Sequence, residues 1–292
     1  MSEVIFPLHG SVTVRDILSF AEKKLTAAGV EYPSLDAGWI VSHVLGIGRL
    51  ELPMVSAHTL HANENERIAE LIERRSTREP LQYVLGNTFF AELELRLDQR
   101  VFIPRPETEE FLQRIFDEIE IPPRRFLDLG VGSGAIVLGL ARLFPKAEAF
   151  AVDQSSDCLC LAEENAKHND LQERVHFLRS DWFERVNGQF DLIVSNPPYL
   201  DQKEWQACES EVRDFEPKKA LVSELRDSAS DLKRIVTDGF SRLRPAGLLA
   251  LETGESHHAL LIELALQSGY LAPRGFDDLH GRPRYFFASK PA

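Results

Sequence analysis

The sequence Arg125-Phe126-Leu127-Asp128-Leu129-Gly130-Val131-Gly132-Ser133-Gly134 joins a short apolar run to a glycine-rich loop, and a second apolar stretch at 135–143 follows it. The first run predicts a buried strand, and the stretch after the glycines predicts a helix. Glycines between a strand and a helix let the backbone turn tightly and approach a ligand closely. The segment therefore predicts the first unit of an α/β domain, with a ligand at the carboxyl end of its strand.

Strand-like and helical stretches alternate from residue 124 to the end of the chain. The runs that favour strands are 125–129, 147–152, 175–179, 192–195, 248–252 and 285–288. The stretches that favour helices are 135–143, 157–169, 231–242 and 259–268. Such alternation is typical of helices that cover both faces of a parallel sheet. We therefore predict a doubly wound, mostly parallel α/β domain over residues 105–292.

Residues 1–80 favour a small bundle of three helices. The first helix is predicted to start after Thr13 and to end at Gly29. The second starts at Ser34 or Asp36 and ends near Gly46, and the third starts at Asn63 or Asn65. The apolar stripe predicted for the second helix is Leu35, Trp39, Ile40, His43 and Val44. Because this region carries no cluster of catalytic residues, we predict that it recognises the substrate.

Over residues 81–104 the spacing of apolar residues changes from a helical pattern to an alternating one. Leu93, Leu95 and Leu97 alternate with charged residues, which is typical of a half-buried strand. Upstream, Gly86-Asn87 marks a turn before Phe89 and Phe90. We predict a β-hairpin that links the two domains. The two prolines of the segment 103–108 should then delay the next helix to 109–119.

Length, composition and charge limit the class of protein. The chain has 292 residues, which favours two domains because single hydrophobic cores seldom exceed about 250–300 residues. Hydrophobic residues make up 43%, an ordinary value for a globular protein. The net charge of −13 argues against broad nucleic-acid binding, which needs clustered Lys and Arg. A neutral or basic partner fits this charge better.

Cysteine spacing and hydropathy bear on metal sites and compartment. Cys158, Cys160 and Cys208 lack the spacing of a zinc site, and they read as reduced thiols. The N-terminus lacks a basic stretch followed by an apolar one, and no apolar run reaches the roughly 18 residues of a membrane span. We expect a cytoplasmic monomer with no metal and no membrane association.

The segment Asn196-Pro197-Pro198-Tyr199 follows the apolar run 190–195 and carries the chemistry. The Asn196 side-chain oxygen accepts an N–H, and the Pro197 carbonyl can accept a second one. Pro198 fixes the backbone, and the Tyr199 ring can stack on a flat group. Two hydrogen-bond acceptors and one flat aromatic face are suited to bind an NH2 group that is attached to an sp2 carbon. With the glycine loop upstream, the segment predicts methyl transfer to a planar, weakly nucleophilic nitrogen.

The predicted cofactor residues follow successive strands. Gly130, Gly132 and Gly134, with Val131 and Ser133 between them, follow the first strand, and Asp153 ends the second about 20 residues later, where an acid binds a ribose diol. Asp181-Trp182 ends the third strand and offers a carboxylate and an indole to an adenine. Asn196 ends the fourth and places an acceptor beside the reactive end of the cofactor. With Ala135, the loop also matches the pattern G-x-G-x-x-G/A, so NAD remains an alternative.

These motifs resemble the protein-(glutamine-N5) methyltransferases of the HemK type, which methylate class-1 peptide-chain release factors. The resemblance runs from about Arg78 to Arg284 and is fainter before it. It rests on the segments 78–83, 103–109, 128–134, 196–199 and 215–217, together with Gly281-Arg282 and Arg284. Two departures occur: the stretch 220–225 lacks glycines that the family often has, and Val131 and Ser133 replace common threonines.

The resemblance implies the class I S-adenosylmethionine-dependent methyltransferase fold and a glutamine substrate in a Gly-Gly-Gln loop. By motif, the glycine loop and Asp153 would hold the methionine and ribose parts of the cofactor, which leaves as S-adenosylhomocysteine. Trp182 and Asp181 would contact adenine, and Asn196, Pro197, Pro198 and Tyr199 would hold the glutamine amide. The segment 103–109 favours release factors over ribosomal protein L3, the substrate of a sister group.

Three alternatives keep part of this pattern. A nucleic-acid methyltransferase acting on an exocyclic base amine would use the same acceptors on a flipped base. An NAD-dependent oxidoreductase would use the glycine loop but leaves Asn196-Pro197-Pro198-Tyr199 without a role. A catalytically silent protein could use the cofactor site as a scaffold.

Overall fold

The computed structural model describes residues 12–223 and 227–292, which form two compact units. The first unit comprises the described residues up to Gly86 and the segment Ser210–Phe215, and the second comprises Asn87–Glu209 and Glu216–Ala292. The division near residue 86 lies a few residues after the predicted one at 80. Residues 1–11 of the predicted helical domain and residues 224–226 lie outside the described residues.

The first unit is helical. Its helices before Gly86 are α1 (Val14–Ala27), α2 (Pro33–Leu45), α3 (Ala62–Ser76) and the short α4 (Leu81–Leu85), with one 3-10 turn at Arg49–Glu51. Thr13 caps α1 as predicted: its hydroxyl accepts from the Asp16 amide, and the Asp16 carboxylate accepts from the Thr13 amide. Gly46 ends α2 in the left-handed region, where glycine is unstrained. Helix α4 falls within the predicted hairpin region.

The predicted apolar stripe of α2 was right for Ile40, which is buried, and for Val44, which packs against the core, and wrong for its other three residues. Leu35 and Trp39 are 40% and 41% exposed, His43 is exposed, and the buried face is formed by Ala37, Ile40 and Val41. The helix also begins at Pro33, with Tyr32 as its cap residue, rather than at Ser34 or Asp36. The pattern is ambiguous because apolar residues lie on both sides of this helix, and tertiary packing decides which side is buried.

Asp36 was predicted as a possible first residue of the second helix. In the structure it instead belongs to a buried cluster of charged residues in the first unit. Arg75 is 6% exposed and donates to the Asp36 carboxylate at 2.7 Å and to Glu211 at 3.2 Å. Arg78 donates to both oxygens of Glu211 at 2.6 Å. These hydrogen bonds hold the pKa of Glu211 at about 2 against the effect of burial. They fasten the segment Ser210–Phe215, distant in sequence, to the other helices of this unit.

The second unit begins with the predicted hairpin, formed by β1 (Asn87–Phe90) and β2 (Leu93–Arg96) in antiparallel pairing. Its helices are α5 (Pro106–Glu118), α6 (Ala135–Leu143), α7 (Ser156–His168), α8 (Gln202–Ala207), α10 (Lys218–Leu221), α11 (Ser230–Arg242) and α12 (His258–Ser268); α9 (Ser210–Phe215) belongs to the first unit. Its other strands are β3 (Arg125–Leu129), β4 (Glu148–Asp153), β5 (Val175–Arg179), β6 (Phe190–Ser195), β7 (Leu243–Glu252), β8 (Leu271–Asp277) and β9 (Pro283–Ser289).

The main sheet has the order β5-β4-β3-β6-β7-β9-β8. The strands from β5 to β7 pair in parallel, and β9 pairs antiparallel with both β7 and β8. The order runs away from β3 in both directions, so the crevice between β3 and β6 is the topological switch point where open α/β sheets bind ligands. The predicted doubly wound, mostly parallel architecture is confirmed.

Each face of the sheet has its own hydrophobic core, because side chains alternate along a strand. Phe126, Val194 and Ala250 face the core that includes α5, α6 and α7. Leu127 and Ile193 face the other core, which includes α11 and α12. Because of this alternation, successive residues of one strand lie on opposite faces of the sheet at the ligand crevice.

The hairpin packs inside the second unit and does not merely link two domains. Leu93 and Leu95 are buried in the core that contains α6 and α7. The buried Asn165 of α7 joins three elements: its amide accepts from Arg96 of β2 at 2.7 Å and donates to the Ser133 carbonyl at 2.8 Å. The hairpin thereby supports the glycine loop from behind.

Two other differences from the predicted elements have simple causes. Helix α5 begins at Pro106 and not at residue 109, because proline at the first helical position lacks only an amide that would be unpaired there. Strand β8 was not predicted, because it contains Pro273 and Gly275 and is largely exposed. It lies at an edge of the sheet, where proline is tolerated. Within the described ranges, no helix combines the length and apolar character that crossing a membrane requires.

Candidate active site

A cavity of about 590 Å³ lies in the second unit, at the carboxyl ends of β3, β4, β5 and β6. This volume is within the usual range of small-molecule sites, roughly 300–1,000 Å³. Its wall contains every residue predicted for cofactor or substrate except Gly134. Gly134 instead caps α6 with a φ of 88°, and a side chain there would meet Leu138 and Ala162.

The glycine loop forms the floor of this cavity. The amides of Gly130 and Val131 donate to the Val152 carbonyl of β4 at 2.9 and 3.0 Å. Gly130 has a φ of 75°, and a Cβ there would lie 3.6 Å from the indole of Trp182. A side chain at this position would therefore be strained and would fill the space beside the indole.

Asp153 lies at the end of β4 in the cavity wall, as the sequence predicted. Its carboxylate accepts from the amides of Gly132 at 3.1 Å and Ser155 at 2.9 Å. Burial raises its pKa, and these two hydrogen bonds lower it. Each carboxylate oxygen accepts one of these bonds and retains capacity to accept another from a ligand hydroxyl.

Asp128 lies inside the protein near the end of β3, just before the glycine loop, and no role was predicted for it from the sequence. It is 1% exposed, and its carboxyl accepts from the Val137 amide of α6 at 3.0 Å. Burial, with the nearby Asp153 charge, raises its pKa to about 8, while the Val137 hydrogen bond lowers it. Near neutral pH this carboxyl is therefore largely protonated.

The raised pKa of Asp128 predicts a pH dependence of stability. The unfolded carboxyl loses its proton near pH 3.8 and the folded one near 8, so the folded state binds more protons between these values. Its contribution to the free energy of unfolding is fully present below pH 3.8 and is lost as pH rises through about 8. We expect Asp128→Asn to gain stability relative to wild type across this window in urea titrations.

Asp117→Asn is the matched control for that comparison, because it makes the same charge change at an exposed site on α5. A difference between Asp128→Asn and wild type that stays constant with pH would contradict the proposed protonation.

Asp181 and Trp182 lie together in the cavity wall. One oxygen of the exposed Asp181 carboxylate accepts from Arg234 at 2.9 Å. The Trp182 indole N–H donates to Asp231 at 3.2 Å, which fixes the ring beside Gly130. The indole is therefore held in place next to the glycine loop, where a flat ligand ring can contact it.

Asn196 directly follows β6, and the buried Glu252 at the end of β7 lies beside it. The Thr108 hydroxyl of α5 donates to Glu252 Oε2 at 2.8 Å. Burial raises the pKa of Glu252 to about 7, whereas hydrogen bonds from Thr108 and from the Asn196 side chain, and the charge of Arg284, lower it. Neither Thr108, Glu252 nor Arg284 was predicted as part of the site.

Tyr199 is the last residue of the predicted substrate segment 196–199 and lies in the cavity wall. Its hydroxyl accepts from Arg284 of β9 at 3.2 Å, and Arg284 lies 3.6 Å from the Asp278 carboxylate. Burial and the Glu252 charge raise the pKa of Tyr199, so it stays neutral at neutral pH. The resemblance already marked Arg284, but its contact with Tyr199 could not be read from the sequence.

The segments around Arg105 and Glu216 pack against each other. Glu216 is 5% exposed, forms an ion pair with Arg105 and accepts from the Ile103 amide at 3.1 Å. Pro104 and Pro217, next to this pair, line the cavity. The pair therefore fastens two parts of the cavity wall, and Arg105 also lies over the Phe102 ring at 4.5 Å.

The cavity fits a nucleoside cofactor with a charged tail. The half-buried Asp153 carboxylate gives this cavity an acceptor for a diol, the indole of Trp182 gives it a flat surface, and the glycine loop leaves space for close approach. Among the described residues, the group of potential metal ligands that comes within 4.8 Å is His58, His61 and Glu64 in the first unit. Both histidines are exposed, and none of the three lines the cavity.

Two known families match separate parts of the chain. Residues 16–86 match the family described as PrmC N-terminal domain. Residues 107–212 match the methyltransferase small domain. The second match covers the glycine loop, Asp153, Trp182 and Asn196.

A solved structure supports the same fold. The chain resembles a T. thermophilus 16S rRNA N2 G1207 methyltransferase in complex with AdoMet and guanosine, with a TM-score of 0.51 and 22% identity. This likeness covers 70% of the present chain and 49% of the other one. At that identity it supports the class I methyltransferase fold and nothing about the substrate.

Curated relatives match over much more of the sequence. A release factor glutamine methyltransferase of Deinococcus radiodurans is 35% identical over 95% of this chain and 98% of its own. A second one, of Agrobacterium fabrum, is 36% identical over 84% of this chain and 86% of its own. The chain therefore belongs to the family of release factor glutamine methyltransferases, which use S-adenosylmethionine.

Proposed function

We propose that this chain transfers a methyl group from S-adenosylmethionine to N5 of the glutamine in the Gly-Gly-Gln motif of class-1 peptide-chain release factors. The observation that carries the proposal is the position of Asn196-Pro197-Pro198-Tyr199 in the wall of the cavity that also holds the glycine loop and Asp153. Family membership supports the glutamine substrate, and it argues against the oxidoreductase and scaffold alternatives.

The cofactor roles follow the chemistry of each wall residue. We assign the ribose diol to Asp153, the methionine part to the loop from Gly130 to Gly134, and adenine to Trp182 and Asp181. The carboxylate of Asp153 is the acceptor that hydroxyl groups need, and the fixed indole offers a flat apolar surface. When bound, the cofactor supplies an electrophilic methyl group on a sulfonium.

The substrate residues position a poor nucleophile, because the lone pair of an amide nitrogen is delocalised into its carbonyl. Asn196 Oδ1 and the Pro197 carbonyl accept the two N–H bonds and orient the nitrogen, while Pro198 fixes the backbone and Tyr199 packs on the amide plane. Methyl transfer to this nitrogen would form the carbon–nitrogen bond as the carbon–sulfur bond of the cofactor breaks, and the methylated nitrogen would then lose its extra proton to water. The contribution of the protein is positioning and fixed dipoles.

Several further expectations belong to the same proposal. The helical unit is assigned to substrate recognition, which its exposed aromatic residues Tyr32 and Trp39 support. We also infer a cytoplasmic monomer that does not bind nucleic acid broadly, consistent with the net charge of −13 and three free thiols. The reaction is proposed to need no metal, since the proposed chemistry uses none.

The decisive experiment is mass spectrometry of purified release factor and ribosomal protein L3 after separate incubation with the enzyme and S-adenosylmethionine, with and without EDTA. We expect one added methyl on the Gly-Gly-Gln glutamine, at the same rate with the chelator. Methylation of L3 alone would place the chain in the sister group, and the absence of a methyl group on both proteins would favour the nucleic-acid alternative. Loss of product with EDTA would refute the metal-free reaction.

A further inference from the structure

Glu252 is a buried acid that lies behind the active-site wall and has no role in the mechanism described so far. It is 2% exposed, and the Thr108 hydroxyl donates to its carboxyl at 2.8 Å. Thr108 and Asn196 line the cavity, whereas Glu252 does not. A buried carboxyl between two wall residues is costly unless the residues around it satisfy its oxygens, so its partners indicate its role.

The register of the sheet brings Glu252 to Asn196. Strands β6 and β7 run in parallel, with Val194 opposite Ala250 and Ser195 opposite Leu251. Val194 and Ala250 face the same hydrophobic core. The next residues along this row are Asn196 and Glu252, so the register places them side by side, and the Asn196 side chain is close enough to the Glu252 carboxyl to lower its pKa.

An asparagine amide has two different ends, an NH2 group that donates and a carbonyl that accepts. An ionised carboxylate only accepts, so it binds the NH2 end and turns the carbonyl the other way. The substrate amide also presents N–H donors and needs the carbonyl end. With the amide reversed, two NH2 groups would face each other and the substrate would lose an acceptor.

We propose that Glu252 is a positioning residue that fixes the Asn196 amide with its NH2 group toward β7 and its carbonyl toward the substrate nitrogen. The proposal rests on the proposed function and adds to it the reason why Asn196 faces the substrate in one orientation. Thr108 holds the Glu252 carboxyl in place from α5.

The charges around Glu252 determine when it can act in this way. Glu107 on α5, Arg284 and Tyr285 on β9, and Tyr199 after β6 all interact with it electrostatically. With a pKa of about 7, Glu252 is ionised above neutral pH and protonated below it. A protonated carboxyl carries an O–H that can bind the Asn196 carbonyl, and the preference for one amide orientation is then lost. The turnover number should therefore rise with pH through about 7.

The test is the pH dependence of kcat and KM for wild type, Glu252→Gln and Glu252→Ala, with release factor as substrate and saturating S-adenosylmethionine. Glutamine resembles the protonated acid, because it offers one carbonyl and one donor group, but it does not titrate. We expect Glu252→Gln to keep the lower turnover of wild type at acidic pH across the whole range and to lose the rise near pH 7. Glu252→Ala should lose up to roughly 100-fold in kcat, the scale of a misplaced catalytic group, with a smaller change in KM.

Two further variants separate positioning from a general effect on the fold. Thr108→Val removes a hydrogen bond that lowers the pKa of Glu252, so the rise in kcat should move to higher pH, whereas Thr108→Ser should keep it in place. Glu263→Gln, which alters an exposed glutamate on α12, should behave as wild type. Calorimetric binding of S-adenosylmethionine to each variant checks that the protein is folded.

Persistence of the wild-type pH profile in Glu252→Gln, or wild-type kcat in Glu252→Ala, would overturn the positioning role. Mass spectrometry of the wild-type product keeps this result distinct from the proposed function. If wild type methylates the Gly-Gly-Gln glutamine while the profile of Glu252→Gln is unchanged, only the role of Glu252 fails. If wild type does not methylate that glutamine, the proposed function fails.

Discussion

Replacing Asn196 by alanine is expected to lower kcat by roughly 10²–10³-fold, the loss seen when one fixed hydrogen-bonding group for a transition state is removed. The substituted site keeps the Pro197 carbonyl but loses the acceptor that orients the second N–H of the substrate. The amide nitrogen then samples positions from which its lone pair does not meet the methyl group in line. Single-turnover kinetics with release factor would measure this loss directly.

The affinity for S-adenosylmethionine should largely survive the same substitution, because Asp153, Trp182 and the glycine loop remain. Calorimetric titration of Asn196→Ala checks this, and Asn187→Ala, at an exposed position in the second unit, is the control for loss of an asparagine amide. Near-wild-type turnover of Asn196→Ala would refute its role. A parallel loss of cofactor affinity would instead make Asn196 mainly a cofactor residue.

Replacing Asp153 by asparagine should weaken S-adenosylmethionine binding by roughly 10–150-fold. This estimate corresponds to the loss of about 1.5–3 kcal/mol for a hydrogen bond to a charged group. Asparagine has nearly the same size and keeps one oxygen, so the amides of Gly132 and Ser155 retain a partial acceptor. The NH2 group that replaces the second oxygen cannot accept from a ribose hydroxyl.

The measurement is the dissociation constant by calorimetry, together with kcat at saturating cofactor. Asp157→Asn makes the same charge change on the exposed side of α7 and should bind as wild type. We expect kcat at saturation to remain close to wild type, because Asp153 is assigned to the ribose and not to the substrate amide or the transferred methyl group. An unchanged dissociation constant would remove Asp153 from the cofactor site.

The sequence alone determined the architecture of the second unit and the principal wall residues. The run from Arg125 to Gly134 specifies a strand, a turn and a helix start by local rules, because glycine reaches positive φ and apolar residues fill a buried strand. Residues at the ends of successive parallel strands converge at one edge of a sheet. The order of elements therefore predicted that Asp153, Trp182 and Asn196 would line one cavity.

The tertiary structure decided which buried polar groups stand behind that wall. Thr108 and Glu252 are 144 residues apart, and the register of β6 and β7 brings Glu252 to Asn196. In the sequence, Glu252 only ends an apolar run, and Asp128 only precedes the glycines. Tertiary packing likewise selected Ile40 and not Trp39 for the buried side of α2. Local periodicity specifies an element, but pairing register and the packing of distant segments specify its partners, because those contacts exist only in the folded chain.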